Sequence, residues 1–374
     1  MRVVVLTPGL GVGGAERSLI KLVHLIVPMV DRIDVVCMAT ADSRMASELP
    51  AEARLHVLNG RSSASPWLWL RTIRLMKDLR PDLLLGWSTY ANLLAVLVSL
   101  VAPVARLVLS ERNYVPRVYG HGRVSGLRRW LVLTLMRRFY RRADLVTANS
   151  RDNVLFLRRY IGGKPEYRLL PNTVDLAVLD ARANAEVPMP EGRRGPRILA
   201  LGRLDYQKGF DILLRAFAQV RQSRPDWRLV IVGEGSERAQ LLALCRDLAL
   251  QDAVHWVGEV TNPYPYYKWA DLVVVPSRYE GFPNVPLEAM SLGRAVICAD
   301  FRTGARELTG NGQYGWLVPV GDPQALARKI LQVGASAETM RAMGVSARAF
   351  IKENYDVATM RARYAEVLGL RCTP

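Results

Sequence analysis

Residues 270–300 read ADLVVVPSRYEGFPNVPLEAMSLGRAVICAD, and the fold is decided there. Leu272 to Val275 is a short β-branched run closed by Pro276 and Ser277, the mark of a buried parallel strand. A loop carrying Glu280, Gly281 and Phe282 follows. Pro286 stands where a first helical residue belongs, so the spacing predicts a helix over Leu287 to Leu292, stopped by Gly293. Ala295 to Ala299 is a second buried run. The segment supplies half of a βαβ crossover and points to an α/β protein with doubly wound parallel sheets.

The same segment places two carboxylates. Glu280 falls in the loop at the carboxyl end of a strand, where open α/β sheets bind ligands. Glu288 is expected in the first turn of the following helix, with the backbone N–H groups of Gly281 and Phe282 facing an anion between them. One acid can hold sugar hydroxyls, the amides a phosphate, and the other acid a ribose. Each glutamate alone is equally well a solvated loop acid or an acid favoured by the helix dipole. The whole string, with seven residues between Glu280 and Glu288, resembles the signature of retaining glycosyltransferase family 4. That resemblance implies two Rossmann-like domains facing across a cleft, the GT-B architecture. It also implies donor contacts from Gly281, Phe282, Pro283, Asn284, Val285 and Glu288, with Glu280 on the sugar.

A chain of 374 residues exceeds one ordinary core, and half of it is apolar with no low-complexity tract. Cys37, Cys245, Cys298 and Cys372 are scattered without a C-x-x-C, the pattern of buried thiols in a reducing compartment. The start MRVVVLTPGLG lacks the features of a signal peptide. Leu83 to Ala105 is uncharged for long enough to imitate a membrane span, but strand, helix and strand account for it better. The net charge of +17 is uneven: Arg106 to Arg142 holds ten arginines against one glutamate. Such an excess favours anionic partners.

In the first half, Arg2 to Thr7 reads as the opening strand of a doubly wound sheet, followed by PGLGVGGAERS and an apolar helix. Gly9, Gly11 and Gly14 fit G-x-G-x-x-G, yet the second strand ends without the ribose-binding acid of a nicotinamide enzyme; Asp42 comes late. Gly13 and Gly14, in GGAE, resemble the family's N-terminal glycine motif and are expected at the donor. Trp67 to Arg80 is a predicted helix with Arg71, Arg74, Lys77 and Arg80 in a drifting row. A solvated face is the plain account; a ladder for an acceptor's pyrophosphate is the sharper one. Glu111, Arg112 and Asn113, read as a charged loop, resemble a motif of members acting on lipid-linked acceptors. His121 lies in the Gly-rich loop nearby. Many family members have an active-site histidine in this domain, but no motif fixes His121 as its match, and a plain surface histidine is the alternative. Gly126 to Arg142 is a helix with an apolar centre and paired arginines at both ends. It reads either as a core helix with exposed ends or as one resting on an acidic membrane surface.

RLLPNTVD, residues 168–175, resembles the exit from the first domain, and the Pro/Gly-rich change after Val187 places a linker at 172–195. The expected domains are therefore 1–172, binding acceptor, and 195–355, binding donor, with a last helix in 356–374 crossing back onto the first. GRLDYQKG matches G-R-x-x-x-x-K-G, the family motif whose Arg203 and Lys208 hold the donor diphosphate and whose Gly202 opens the loop. Gly233, Glu234 and Gly258 resemble donor-site loops near the base. No D-x-D occurs, so no metal and no cofactor are expected beyond the nucleotide sugar, with the cation pair in a metal's place. The form EGFPN resembles members using UDP-linked hexoses or N-acetylhexosamines; GDP-mannose is the alternative. The expected partners are a lipid-linked glycan acceptor and the cytoplasmic face of a membrane. A nucleic-acid role is disfavoured, because aromatics are not interleaved with a basic groove. A nicotinamide oxidoreductase and a non-catalytic sugar-nucleotide binder are the rival classes.

Overall fold

The computed structural model describes residues 1–11, 13–38, 45–60, 65–115, 126–188 and 195–371. Two compact units emerge: Met1–Thr173 with Met360–Pro374, and Val174–Thr359. In the first, the apolar runs form β1 (Arg2–Thr7), β2 (Arg32–Cys37), β3 (Ala53–Val57), β4 (Leu83–Trp87), β5 (Arg106–Glu111), β6 (Leu145–Ala148) and β7 (Glu166–Leu169). They pair in parallel in the order β3-β2-β1-β4-β5-β6-β7. In the second, β8 (Arg197–Leu201), β9 (Arg228–Val232), β10 (Val254–Gly258), β11 (Leu272–Val275), β12 (Ala295–Ala299) and β13 (Trp316–Val318) form a parallel sheet ordered β10-β9-β8-β11-β12-β13.

Both sheets are Rossmann-like. Their central strands are buried on both faces, which is why VVVL and LVVV are continuous apolar runs without alternation. The direction of winding reverses between β1 and β4 and again between β8 and β11. Such a reversal splays the two flanking loops apart at the carboxyl edge and leaves room for a ligand.

The uncharged stretch resolves into β4, the helix Thr89–Ser99 and β5. Among the described residues, no helix is long and apolar enough to cross a membrane. Cys37, Cys245 and Cys298 are buried free thiols; Cys372 lies outside the described residues.

Part of the expected linker is a helix, Leu176–Arg182, within the second unit. The Asp175 side chain accepts from the Val178 amide at 3.0 Å and Leu179 is buried, so capping and burial outweigh the loop-like exit sequence. The last helix is Val357–Leu368. From Met360 onward it belongs to the first unit, where Arg106 Nη1 donates to the Leu368 carbonyl at 2.9 Å and Tyr364 donates to that of Pro171. Asp322 caps the helix Pro323–Gly334 through the Ala325 amide at 2.8 Å.

Candidate active site

The loops after β8 and β11 flank the reversal in the second sheet. The first, residues 202–209, ends in a tight 3-10 turn, Tyr206–Lys208, capped by the Asp205 carboxylate. The second, residues 276–283, leads into the helix Asn284–Ser291. At their junction Lys208 Nζ donates to Glu280 Oε1 at 2.7 Å. Ser277 Oγ donates to the same oxygen at 2.7 Å, and Gln207 Nε2 donates to Oε2 at 3.0 Å. Thr303 fixes the Glu280 carbonyl from the loop after β12. Glu280 is thus buried but ionically and sterically satisfied. Two carboxylate oxygens accept about four hydrogen bonds, and the described residues supply three, two to Oε1 and one to Oε2, so among them Oε2 keeps one direction for an incoming donor.

The other predicted residues scatter around this centre. Arg203 lies in the same loop, its exposed guanidinium 3.4 Å from Asp205. Gly202 and Gly233 bring the loops after β8 and β9 into backbone contact: a Cβ at Gly233 would lie 2.0 Å from the Gly202 carbonyl oxygen. Glu234 is exposed and paired with Arg238 at 3.0 Å, and Gly258 ends β10 beside it.

Glu288 corrects the sequence expectation. The helix begins at Asn284, with Pro283 at its N-cap and Pro286 inside the first turn, so Glu288 is a turn further in. Its carboxylate is buried, with Oε2 accepting from the Tyr267 hydroxyl at 3.2 Å. Gly281 and the buried Phe282 precede the cap, and Asn284 and Val285 open the helix. Ser277, Gln207 and Thr303 are the site residues that sequence reasoning missed; their one signal was proximity to Glu280 and Lys208 in the two motifs.

In the first unit, Gly13 is the N-cap of the helix Gly14–Ile26. Arg71 and Arg74 are exposed on the helix Pro66–Leu79, Arg71 donating to the Leu58 carbonyl at 3.2 Å. Glu111 and Arg112 correct the charged-loop expectation. Glu111 is the last residue of β5, fully buried, accepting from Thr89 Oγ1 at 2.9 Å, the Tyr140 hydroxyl at 3.2 Å and the Asn113 amide at 3.3 Å. Arg112 is buried 4.2 Å over the Trp87 ring and donates to the Leu170 carbonyl at 2.9 Å and to Asn172. Burial holds its pKa down at about 10, so it is charged at neutral pH. Both residues brace the interior of this unit. His121 lies outside the described residues.

Burial pushes the Glu111 carboxyl up to about 7 from an ordinary value of 4.5, despite its hydrogen bonds. Between those values the folded chain keeps a proton that the unfolded chain has released. Stability therefore falls as pH rises through that window, by on the order of 3 kcal/mol if the full shift is expressed. The expected result is a thermal midpoint that declines from pH 4.5 towards 7 in the wild type and a flatter curve in Glu111→Gln. Parallel curves for the two proteins would assign the titration elsewhere.

Residues 188–350 match the family described as Glycosyl transferases group 1, and residues 12–178 match Glycosyltransferase Family 4. The chain is a family 4 glycosyltransferase. A Campylobacter jejuni protein named N-acetylgalactosamine-N,N'-diacetylbacillosaminyl-diphospho-undecaprenol 4-alpha-N-acetylgalactosaminyltransferase is 29% identical over 327 residues, covering 85% of this chain and 86% of its own. The GDP-mannose-dependent alpha-(1-6)-phosphatidylinositol monomannoside mannosyltransferase of Mycolicibacterium smegmatis is 31% identical over 73% of this chain and 74% of its own. Among solved structures, Anabaena HepE in complex with UDP-glucose superposes with a TM-score of 0.80 at 23% identity, covering 99% of each chain. Its likeness fixes the GT-B fold of the family 4 enzyme. Among the described residues of this glycosyltransferase, no group of three or more His, Cys, Asp or Glu could hold a metal ion.

Proposed function

We propose that this glycosyltransferase moves a sugar, with retention of configuration, from a nucleoside diphosphate to a lipid-diphosphate-linked glycan in cell-surface glycan assembly. The observation that carries the reading is the Lys208–Glu280 contact at the reversal of the second sheet. In this reading the bond from sugar C1 to the donor phosphate breaks, and its electron pair leaves with the nucleoside diphosphate. The acceptor hydroxyl enters on the same face and bonds to C1, and its proton passes to the departing phosphate. Lys208, held by Glu280, donates its remaining N–H bonds to that phosphate, and Arg203 swings in from solvent beside it. Together they take up the growing charge without a metal or other cofactor. Glu280 Oε2 accepts a sugar hydroxyl, and Glu288 is assigned the ribose.

UDP is the preferred nucleotide of the donor, on the EGFPN form and on the solved complex of HepE with UDP-glucose. The name of the Campylobacter relative supports a polyprenyl-diphosphate acceptor, and that of the mycobacterial relative keeps GDP-mannose as the second donor. A panel of nucleotide sugars read by thermal shift, then product analysis with a lipid-linked acceptor, tests the assignment. Stabilisation by nicotinamide dinucleotides alone, or sugar-nucleotide binding without turnover, would replace it with one of the rival classes.

The acceptor reading places the enzyme on the inner face of a membrane, peripherally. The helix Gly126–Phe139 buries Val132 and Met136 and exposes Leu127, Trp130 and Leu131, with Arg137 and Arg138 completing the outward side at helical spacing. The helix Pro66–Leu79 likewise exposes Trp67, Trp69 and Leu70 beside Arg71 and Arg74. Both bury their inner sides in one apolar cluster, so both outer sides lie on one face of the first unit. Aromatic rings among arginines suit an acidic headgroup layer. Flotation should show binding to anionic vesicles at low salt and release at high salt. Arg137→Gln with Arg138→Gln should weaken partition about 30-fold, at about 1 kcal/mol per cation. Absence of binding to anionic vesicles at low ionic strength would remove the membrane from the proposal.

A further inference from the structure

Lys208 and Glu280 stand 72 positions apart, and their meeting depends on how the loop after β8 is held against the loop after β11. The main chains are in close contact: the Arg278 amide donates to the Gln207 carbonyl at 2.8 Å, and Gly209 packs under Pro276. The Arg278 side chain then reaches across both. Its Nη1 and Nη2 donate to the two oxygens of Asp211 at 2.8 and 2.7 Å, a fork-to-fork pair. Nη1 also donates to the Tyr206 carbonyl at 2.9 Å, and the guanidinium lies 4.1 Å from the centre of the Tyr206 ring. One side chain thus grips the 3-10 turn that ends in Lys208 and the first turn of the helix Phe210–Ser223 behind it. Glu280 follows two residues after Arg278.

We propose that Arg278, locked by Asp211 and Tyr206, is a positioning residue that sets Gln207 and Lys208 against Glu280 for the transfer step. The inference rests on the reading of Lys208 and Glu280 given above. Partly exposed ion pairs add little to stability, so a bidentate, carbonyl-bound and ring-stacked arginine is built for geometry more than for strength. The Arg278 side chain is 19% exposed and Asp211 33%. Burial alone would raise the Asp211 carboxyl, yet the hydrogen bonds and charge of Arg278 hold it below the ordinary carboxylate range, so the pair stays ionised. Lysine keeps the charge but cannot make the fork, the carbonyl bond and the stack at once. Displacement of Lys208 by about 1 Å is enough to cost on the order of 100-fold in rate.

The test uses the full chain, with Arg278→Ala, Arg278→Lys, Asp211→Ala, the Arg278→Ala/Asp211→Ala double variant, and Lys208→Ala as a reference. Steady-state kinetics with the UDP-sugar that the wild type turns over should show kcat lowered about 100-fold in Arg278→Ala. KM for the donor should move less than about fivefold, because base and ribose contacts are untouched. Arg278→Lys should stay within about threefold of the alanine variant, and the double variant should be no slower than Arg278→Ala, since the pair acts as a unit. Amide exchange, which needs no substrate, should quicken in both 202–209 and 276–282 in Arg278→Ala while the rest of the unit keeps its protection. Unchanged exchange in those loops, or a fully active Arg278→Lys, overturns the proposal. So does an Arg278→Ala variant close to wild-type rate while Lys208→Ala collapses, and in that case the reading of the site survives. If Lys208→Ala also keeps its rate, the reading of the site itself fails.

Discussion

Lys208→Ala should lower the rate of sugar transfer by about 100- to 1,000-fold while leaving a folded protein, the largest loss expected from any single side chain outside the backbone turns. Its amine is the cation in direct contact with Glu280, at 2.7 Å, and only 17% of its side chain is exposed. On the proposed reading, a leaving diphosphate gains charge as the bond to the sugar breaks, and a cation already held in place beside it needs little reorganisation to meet it. Removal of the amine leaves Glu280 with its bonds from Ser277 and Gln207, so the carboxylate is not orphaned and the fold survives. Arg203 is exposed and loosely tied to Asp205, so Arg203→Ala should cost less. Glu280→Gln keeps the shape of the side chain but replaces the charge that Lys208 pairs with and one hydroxyl acceptor. It should reduce kcat more than it raises KM, if the contact is made chiefly in the transition state. Rates within about threefold of wild type for both variants, in folded protein, would dissolve the site assignment.

The parts of this site legible in the sequence are those that sit inside one motif. Arg203 and Lys208 share a loop of eight residues, and Glu280 lies just past a recognisable strand, so their place at the carboxyl edge of the sheet could be read from the sequence, while the roles proposed for them come from the resemblance to family 4. The ring that holds Glu280 could not. Gln207 is 73 positions from Glu280, and nothing in GRLDYQKG says which way its amide faces. Glu288 was misplaced because Pro286 marks a helix start only when it occupies the first position. Proline is tolerated through the first turn, and here the helix starts at Asn284. Glu111 and Arg112 misled for a different reason. Consecutive charges read as loop, but Glu111 at the end of β5 and Arg112 just after it turn inward because Thr89, Tyr140, Trp87 and Leu170 supply partners from elsewhere in the unit. A buried charge is legible only once its partners are known. The doubly wound parallel class of both sheets, by contrast, followed from uninterrupted apolar strands alternating with helices.

Gly209→Ala should damage the enzyme through the backbone, destabilising the second unit by about 2–4 kcal/mol and lowering transfer along with it. Gly209 has φ +68° in the left-handed region and serves as the N-cap of the helix Phe210–Ser223. A Cβ there would lie 2.3 Å from the carbonyl oxygen of Pro276, which ends the strand leading to Glu280. The neighbour is backbone, so no side-chain rotation relieves the overlap; the loops after β8 and β11 have to part. Parting them pulls Lys208, the residue before Gly209, away from Glu280, so stability and chemistry are lost from the same atom. Asparagine separates the two components of the cost. It adopts the left-handed conformation more readily than alanine, and if dihedral strain were the whole penalty, Gly209→Asn would recover most of the loss. The Cβ contact predicts that it recovers little. Urea midpoints for the two variants decide between these accounts: equal losses place the cost in the packing of the two loops, and a near-wild-type Gly209→Asn places it in φ alone.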